Sequence, residues 1–268
     1  MESTRGLQES HLPAEMRLVS IQQTLGQQGF VRVRDLAARF NVSSVTARAD
    51  LQMLEERQLA FRVHGGAIPF SGARGERPFE EVAERHVDEK RAIALAAAAT
   101  VACGETIIVD VGTTTAAFAQ ALVERPELED LTVITNGIKI ALLLEASHPR
   151  FTIVVSGGTL RPKQHSLVEP LATTLFADLR VDTAFIGCNG VSLDGGVTNV
   201  NLPEAAVKRA MIGAASRRVV LADSTKLGVR VLAPICTVEE VDVLITDRNA
   251  DADDIAGLQE RGVDVVVA

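Results

Sequence analysis

Five short segments in the C-terminal part of the chain combine glycine, hydroxyl and charged side chains suited to binding an anion. The first, Asp110–Thr115, places a glycine and three threonines between a predicted strand and a predicted helix. A helix N-terminus offers free N–H groups and the positive end of a dipole, which together attract phosphate. On its own, this motif is equally compatible with a strand-to-helix turn that binds nothing.

The other four segments also lie directly after predicted strands. They are Thr135–Gly137, Ser156–Gly158, Gly187–Gly190 and Asp223–Lys226. In an open parallel sheet the carboxyl ends of the strands share one edge, and ligands bind just beyond it. The convergence of five such segments favours a ligand site over five unrelated turns.

Two lysines and one arginine are the candidate cations for this site. Arg161 follows the third segment, whereas Lys208 lies in a predicted helix and Lys226 in a loop. The alternatives are a surface lysine paired with Glu204 at spacing i, i+4 for Lys208, and a solvated loop lysine for Lys226. His165 is isolated and is predicted to lie at the surface. The predicted ligand-binding residues are Asp110, Gly112, Thr113, Thr114, Thr115, Thr135, Asn136, Gly157, Gly158, Arg161, Gly187, Asn189, Gly190, Glu204, Lys208, Asp223 and Lys226.

The N-terminal part carries a helix-turn-helix pattern over Arg34–Leu54. Ser43 is a suitable N-cap for the second helix, and Arg48 points away from that helix's apolar face. There Arg48 is placed to contact a guanine edge or a phosphate. The alternative is an ordinary three-helix unit with a solvated Arg48. The predicted DNA-binding residues are Ser43, Ser44, Thr46, Arg48, Gln52, Arg62, His64 and Gly65.

Apolar periodicity divides the chain into two folded parts. Residues 14–60 are predicted to form three helices, followed by a two-stranded wing around His64–Gly66. Residues 70–78, rich in glycine, proline and charge, are typical of a linker. The predicted organisation is a flexible tail over 1–13, a winged helix-turn-helix over 14–69, a linker over 70–88 and a larger domain over 89–268.

Beyond Gly104, predicted strands alternate with helices. The strands are Thr106–Val111, Leu131–Thr135, Phe151–Val155, Thr183–Gly187, Arg218–Ala222, Val241–Thr246 and Val263–Val267. This alternation predicts an α/β domain with a mostly parallel sheet that is covered on both faces.

Composition excludes some classes of protein and leaves others open. The three cysteines are far apart, so neither a disulfide framework nor a metal site is expected, and a reduced cytoplasm fits. No apolar run is long enough for a membrane span, and the N-terminus has no apolar signal core. The net charge of −8 argues against nucleic acid, but residues 1–70 carry +1 and the remainder −9. Charge alone therefore does not decide DNA binding.

Two motifs of the N-terminal part carry a family resemblance. Val42–Leu51 reads V-S-S-V-T-A-R-A-D-L and Arg62–Ala67 reads R-V-H-G-G-A. Together they resemble the recognition helix and wing of the DeoR-type family of bacterial sugar-catabolism repressors. Ala47 stands where the family usually has isoleucine, and Ala49 where it usually has a second arginine. The first departure predicts a thinner core and the second the loss of one DNA contact.

The C-terminal part resembles the effector domain of the same family over its whole length. The matching pieces include Asp110–Thr115, Gly157–Leu160, Ala222–Lys226 and Ile245–Asp247. That domain is similar to ribose-5-phosphate isomerase, which implies a phosphorylated sugar as the effector. Glu169 stands where the family usually has glycine, so its carboxylate is expected to clash with, or select for, an amino or hydroxyl group of the effector.

The resemblance implies a cytoplasmic homo-oligomer that represses a carbohydrate-catabolism operon and leaves double-stranded operator DNA when the effector binds, with no cofactor, metal or membrane. The alternative is a sugar-phosphate isomerase or deaminase with an appended DNA-binding domain. Proton abstraction beside a carbonyl needs a positioned acid–base pair. In the isomerases, several carboxylates come together after one strand, which corresponds here to Asp182–Gly187. In this chain that strand has only Asp182, which is predicted to be buried, and Asn189 and Gly190 follow where an isomerase would need acids. A binding protein is therefore favoured over an enzyme.

Overall fold

The computed structural model describes residues 12–28, 30–57, 59–63, 65–69 and 77–268, which form two compact units divided between residues 76 and 77. Most of the predicted tail, His64 and residues 70–76 lie outside the described residues. The predicted linker over 70–88 is therefore shorter at its C-terminal end, because the second unit begins at Arg77. Phe79, only 7% exposed, is part of that unit's packed interior.

The first unit is a helical bundle with a small antiparallel sheet. Its elements are α1 (Ala14–Gln28), β1 (Val31–Arg32), α2 (Val33–Phe40), α3 (Ser44–Glu56), β2 (Ala60–Val63) and β3 (Gly66–Pro69). The sheet has the strand order β1-β3-β2, so β2 and β3 form the predicted wing. The buried core consists of Leu18, Ile21, Leu25, Val31, Leu36, Phe40, Ala47, Leu51, Leu54, Ala60 and Ala67. The predicted winged helix-turn-helix is confirmed.

The turn between α2 and α3 follows from two residues. Asn41 adopts a left-handed conformation with φ of 49°, which asparagine tolerates better than most residues and which ends α2. Ser43 Oγ then accepts a hydrogen bond of 3.0 Å from the N–H of Thr46 and caps α3, as predicted.

The second unit is built around a seven-stranded parallel sheet. Its strand order is β15-β14-β12-β9-β4-β5-β6. Those strands are β4 (Thr106–Val109), β5 (Leu131–Thr135), β6 (Phe151–Val155), β9 (Val181–Gly187), β12 (Ala215–Leu221), β14 (Val243–Thr246) and β15 (Asp264–Val267). The helices are α4 (Phe79–Ala83), α5 (Val87–Ala98), α6 (Thr113–Val123), α7 (Ile138–Glu145), α8 (Leu171–Ala177), α9 (Leu202–Ala214) and α10 (Ala252–Glu260), with short 3₁₀ helices at Ser224–Lys226 and Val238–Glu240.

Both faces of this sheet are covered, which explains why its central strands are nearly continuous apolar runs. Ile107 and Val109 of β4 pack in one cluster with α5, α6 and α7, whereas Ile108 packs in a second cluster with α8, α9 and α10. The predicted α/β architecture is confirmed.

The sequence did not predict several short antiparallel strands. A hairpin joins β7 (Thr159–Arg161) to β8 (Ser166–Val168), and a separate sheet has the order β10-β11-β13, formed by Gly190–Ser192, Gly196–Asn199 and Ala233–Cys236. Among the described residues, no helix is both long and apolar enough to cross a membrane.

Candidate functional sites

The outward face of α3 has the composition of a DNA-reading surface. Val45 is 71% exposed, and Arg48, Ala49 and Gln52 are also exposed. Ser43 and Ser44 are exposed at the start of the helix, where hydroxyls and N–H groups can meet phosphate. The orientation matches the predicted periodicity, and contact with DNA stays a prediction.

The wing is attached to α3 through its backbone. Arg62 is exposed, and its main-chain N–H donates to Glu55 Oε1 of α3 at 3.1 Å, a contact that does not involve the guanidinium. Gly65 adopts φ of 79°, and its carbonyl accepts a hydrogen bond of 2.8 Å from the N–H of Val33. A Cβ on Gly66 would lie 1.9 Å from the carbonyl oxygen of Val31, so the wing requires glycine there.

A buried ion pair, which sequence reasoning missed, fixes α3 against α1. Arg17 donates from Nε to Asp50 Oδ2 at 2.5 Å and from Nη2 to Oδ1 at 2.8 Å. The hydrogen bonds to Asp50 raise the pKa of Arg17, although burial opposes this. The available sequence signal was an aspartate on the apolar face of α3, beside Leu51.

In the second unit, the five polar segments follow strands that are consecutive neighbours in the sheet, namely β12, β9, β4, β5 and β6. They therefore lie along one edge, as predicted. Asp182 lies at the other end of β9 and is exposed, accepting a hydrogen bond of 2.8 Å from the N–H of Thr106. The prediction that Asp182 is buried was wrong, because it precedes the continuously buried part of the strand.

The start of α6 has the features of an anion cradle. Gly112 is the N-cap, and no side chain caps the N–H groups of the first turn within the described residues. Thr115 is fully buried and its hydroxyl donates to the carbonyl of Gly112 at 3.1 Å, so Thr115 has only its N–H to offer. Just before Gly112, the N–H of Val111 donates to Asn136 Oδ1 at 2.9 Å.

Asp110 and Lys208 form a buried ion pair beneath this cradle. Asp110 is fully buried, and its Oδ2 accepts hydrogen bonds from Lys208 Nζ and, at 3.0 Å, from the N–H of Gly187. Lys208 Nζ also donates to the carbonyl of Gly187 at 3.0 Å. Burial raises the pKa of Asp110 to about 6, although the Lys208 ammonium opposes this. Asp110 Oδ1 has no hydrogen-bond partner within the part of the chain that the structure describes.

Lys208 is therefore not the surface lysine of the alternative interpretation. It is 3% exposed and bonds to Asp110, not to Glu204. Its charge is already balanced by Asp110, so its role in this structure is to hold Asp110 and Gly187 in position.

Glu204 has partners of its own. It accepts from Arg161 Nη1, from Ser166 Oγ at 2.6 Å and from Asn199 Nδ2 at 3.3 Å. Arg161 and Glu204, both predicted ligands, are thus paired with each other. Ser166 and Asn199 were missed because nothing in their local pattern marks them.

The segment after β12 is rigidly held. Asp223 Oδ1 accepts from the N–H of Thr225 at 3.1 Å, and Asp247 Oδ2 accepts from the N–H of Ser224 at 2.6 Å. Burial alone would raise the pKa of Asp223. The Lys226 charge and the Thr225 hydroxyl outweigh burial, so the pKa of Asp223 is lower than usual. Lys226 itself is half-buried.

Lys90 is a second buried lysine that the sequence did not single out. It is 4% exposed, and its Nζ donates to the carbonyls of Val82 at 2.5 Å and Arg85 at 2.6 Å. Burial lowers the pKa of Lys90 to about 8, while the carboxylate of Asp223 opposes this. The sequence offered one sign of this role, because Lys90 is one of few lysines in the chain and lies in an alanine-rich helix.

Four of the predicted ligand residues have structural roles. Asn136 donates to the carbonyl of Leu167 at 3.4 Å in addition to its bond with Val111, and Asn189 Oδ1 accepts from the N–H of Val200 at 3.0 Å. A Cβ on Gly158 or Gly190 would lie 2.1 or 2.4 Å from a neighbouring carbonyl oxygen. These two glycines are required by close backbone packing whether or not a ligand binds.

His165 is half-buried and not isolated, because its Nε2 lies 2.9 Å from Glu80 Oε1. No group of three histidine, cysteine, aspartate or glutamate side chains suited to a metal ion occurs within residues 12–268 where the structure describes them.

Two family models match the chain. The DeoR-like helix-turn-helix domain matches residues 17–71, and the DeoR C terminal sensor domain matches residues 85–248. The chain is 32% identical to the HTH-type transcriptional regulator GlpR of Haloferax volcanii, over 95% of this chain and 98% of that protein. It is 34% identical to a putative aga operon transcriptional repressor of Escherichia coli O157:H7, over 94% and 93%. It is also 30% identical to the glycerol-3-phosphate regulon repressor of Escherichia coli K12, over 82% and 86%.

Solved structures overlap less closely. A D-ribose-5-phosphate isomerase in complex with phospho-erythronic acid matches with a TM-score of 0.40 and 19% identity, over 52% of this chain and 53% of that one. The full-length sorbitol operon regulator SorC of Klebsiella pneumoniae matches with a TM-score of 0.39 and 10% identity, over 92% and 100%. Overlaps of this size carry no functional weight.

Proposed function

Because this chain belongs to the DeoR family of DNA-binding transcriptional regulators, we propose that it represses a carbohydrate-catabolism operon and that a phosphorylated sugar releases it from operator DNA. The observation that carries the effector half of the proposal is the uncapped first turn of α6 at the centre of five converging polar segments. The names of two relatives, an aga operon repressor and a glycerol-3-phosphate regulon repressor, support repression and a phosphorylated effector.

The DNA contacts come from the exposed face of α3 and from the wing. Arg48 and Arg62 supply charge-assisted contacts, and the hydroxyls at the start of α3 bind phosphate. Ser44, Thr46, Gln52 and Gly65 complete the surface, with Ser43 also serving as the N-cap; His64, outside the described residues, remains a prediction.

The effector phosphate is held by the N–H groups of Gly112–Thr115 and by the ammonium of Lys226. An ammonium on a flexible stem acts as a point charge and adds to the helix dipole. Asp110 Oδ1, which has no partner in the described residues, is suited to accept a hydrogen bond from a sugar hydroxyl.

Regulation requires that a homo-oligomer adopts two conformations, which differ in the arrangement of its DNA-binding units, and that the effector binds one conformation more tightly than the other. The effector can change DNA affinity only by the difference between its binding free energies for the two conformations, roughly 1–3 kcal/mol in typical couplings. The protein works in the cytoplasm without a cofactor. It leaves the sugar chemically unchanged, because Asn189 and Gly190 stand where an isomerase would need acids.

The test measures thermal shift and DNA release by the full chain with glycerol 3-phosphate, ribose 5-phosphate, fructose 6-phosphate and galactosamine 6-phosphate, each beside its unphosphorylated counterpart. The DNA is a duplex that the wild-type chain selects from a random library. A ligand present at 100 times its Kd adds about 2.7 kcal/mol of stability, which is readily measured. At least one phosphorylated sugar should stabilise the chain and release the duplex.

Lys226→Ala should abolish this release and leave effector-free DNA binding intact, because Lys226 and α3 lie in different units. Arg91→Ala, which removes an exposed positive charge from α5, is the matched control and should behave as wild type. Equal release by phosphorylated and unphosphorylated sugars would refute the anion cradle. Normal release from Lys226→Ala would remove that lysine from the site.

A further inference from the structure

The second unit begins with a segment, Arg77–Arg85, that contains α4 and follows the first unit directly in the sequence. We call it the entry segment. Any signal that passes along the chain from the effector site to the DNA-binding unit must pass through it.

The tip of the β7–β8 hairpin holds the N-terminal end of the entry segment. The N–H of Phe79 donates to the carbonyl of Lys163 at 2.8 Å, and Gln164 Nε2 donates to the carbonyl of Arg77 at 2.6 Å. The Phe79 and His165 rings meet edge to face, with centroids 6.0 Å apart.

Glu80 fastens the same end with two side-chain contacts. Its Oε1 lies 2.9 Å from His165 Nε2 and also contacts Lys139 Nζ. Lys139 Nζ in turn lies 4.8 Å from the centroid of the Phe79 ring. These contacts lower the pKa of Glu80 to about 2, with the Lys139 hydrogen bond as the largest cause.

The hairpin that holds this end also belongs to the effector site. Arg161, the last residue of β7 before the turn, is paired with Glu204, and a phosphate that reached Arg161 would compete with that carboxylate. Asn136 connects the hairpin to the cradle, because its side chain bonds both the N–H of Val111 and the carbonyl of Leu167.

The C-terminal end of the entry segment is held by Lys90 of α5. Lys90 donates to the carbonyls of Val82 and Arg85, and its charge interacts with those of Asp223 and Lys226. A phosphate bound at Lys226 would add a negative charge beside this buried ammonium and would strengthen its charged form.

We propose that the entry segment is the output element of the sensor, and that effector binding changes how tightly the β7–β8 hairpin and Lys90 hold it. The inference rests on the proposed function, since it describes how that same site is read. Glu80, His165 and Lys139 are then positioning residues that set the response without touching the effector.

Amide hydrogen exchange on the full chain tests this, with inorganic phosphate as the probe and sodium chloride of equal ionic strength as the reference. In the wild type, phosphate should slow exchange over residues 111–118 and also change exchange over residues 77–85. In Glu80→Gln the slowing at 111–118 should persist, and the change at 77–85 should be lost. Glu84→Gln is the matched control, because Glu84 is an exposed glutamate beside α4 whose side chain makes no hydrogen bond or ion pair to the rest of the described chain.

In the DNA-release assay, Glu80→Gln should need several-fold more of the releasing sugar phosphate than wild type, and Glu84→Gln should not. His165→Gln provides a second variant with the same expected effect. Slowed exchange at 111–118 with no change at 77–85, or an unaltered release concentration for Glu80→Gln, would overturn the inference and leave the proposed function standing. No slowing at 111–118, or no release by any sugar phosphate, would overturn the proposed function itself.

Discussion

At the scale of single residues, the polar groups beyond the carboxyl ends of the strands are bonded to partners that lie far away in the sequence. Lys208 and Asp110 are 98 positions apart, and no local pattern reveals that they pair. Asn136, Asn189 and Glu204 were predicted to bind the ligand, yet their polar atoms bond to the protein. Their residue types predict a polar site, whereas the division into ligands and supports depends on contacts between distant elements.

Lys90 gives a pH-dependent prediction at this scale. Its pKa is about 8 when folded and 10.5 in the unfolded reference, so between these values the unfolded chain binds more protons. The free energy of unfolding should therefore rise with pH across this range as the cost of the buried charge is relieved.

Calorimetry from pH 7 to 10.5 should show this rise for wild type and not for Lys90→Met. Lys139→Met, which removes a lysine whose side chain is 39% exposed, should keep the wild-type pH dependence. A constant difference between wild type and Lys90→Met over this range would contradict the prediction.

At the scale of elements, long strands and helices with clear periodicity were predicted well, and short strands were not. β5 and β6 have the predicted bounds, because each is an apolar run flanked by turn residues. The strands of the β7–β8 hairpin have three residues each, too few for an alternating pattern, and they pair through contacts that the local sequence does not encode. His86, with φ of 50°, lies between α4 and α5 and is the N-cap residue of α5.

The cap of α3 gives an element-scale prediction. Ser43→Ala removes the acceptor for the N–H of Thr46 and should cost about 1 kcal/mol of stability. For a domain of this size that lowers the melting midpoint by about 4–8 °C. Ser44→Ala, one residue further along the same exposed turn, should leave the midpoint of the DNA-free protein nearly unchanged. Equal midpoints for Ser43→Ala and wild type would show that another group caps α3.

At the scale of the whole molecule, the helix-turn-helix unit carries little net charge. The first 70 residues carry a net +1, and of their arginines Arg17 and Arg57 are committed to Asp50 and Glu15. Arg48 and Arg62 are exposed on α3 and the wing, where the proposed function assigns them to DNA contact. We therefore expect few phosphate contacts per protomer and a shallow dependence of DNA affinity on salt.

The salt dependence of DNA binding tests this. Each phosphate contact contributes about −0.9 to the slope of log affinity against log salt. Ala49→Arg should make the slope steeper by about 0.9 per protomer, since Ala49 is exposed beside Arg48, and Arg48→Ala should make it shallower by a similar amount if it contacts phosphate. An unchanged slope for Ala49→Arg in a gel-shift titration would mean that this position does not face the DNA backbone.

The order of strands in the sheet has a consequence for how the protein is made. The central strand β4 pairs with β9, so the middle of the sheet is incomplete until residue 187 has left the ribosome, whereas the helices of the first unit contact one another within residues 12–69. Chains grow at about 5–20 residues per second, so the DNA-binding unit can fold roughly 10–40 s before synthesis of the chain is complete. During that interval, and in any product that ends early, the chain carries its helix-turn-helix unit without a completed sensor domain.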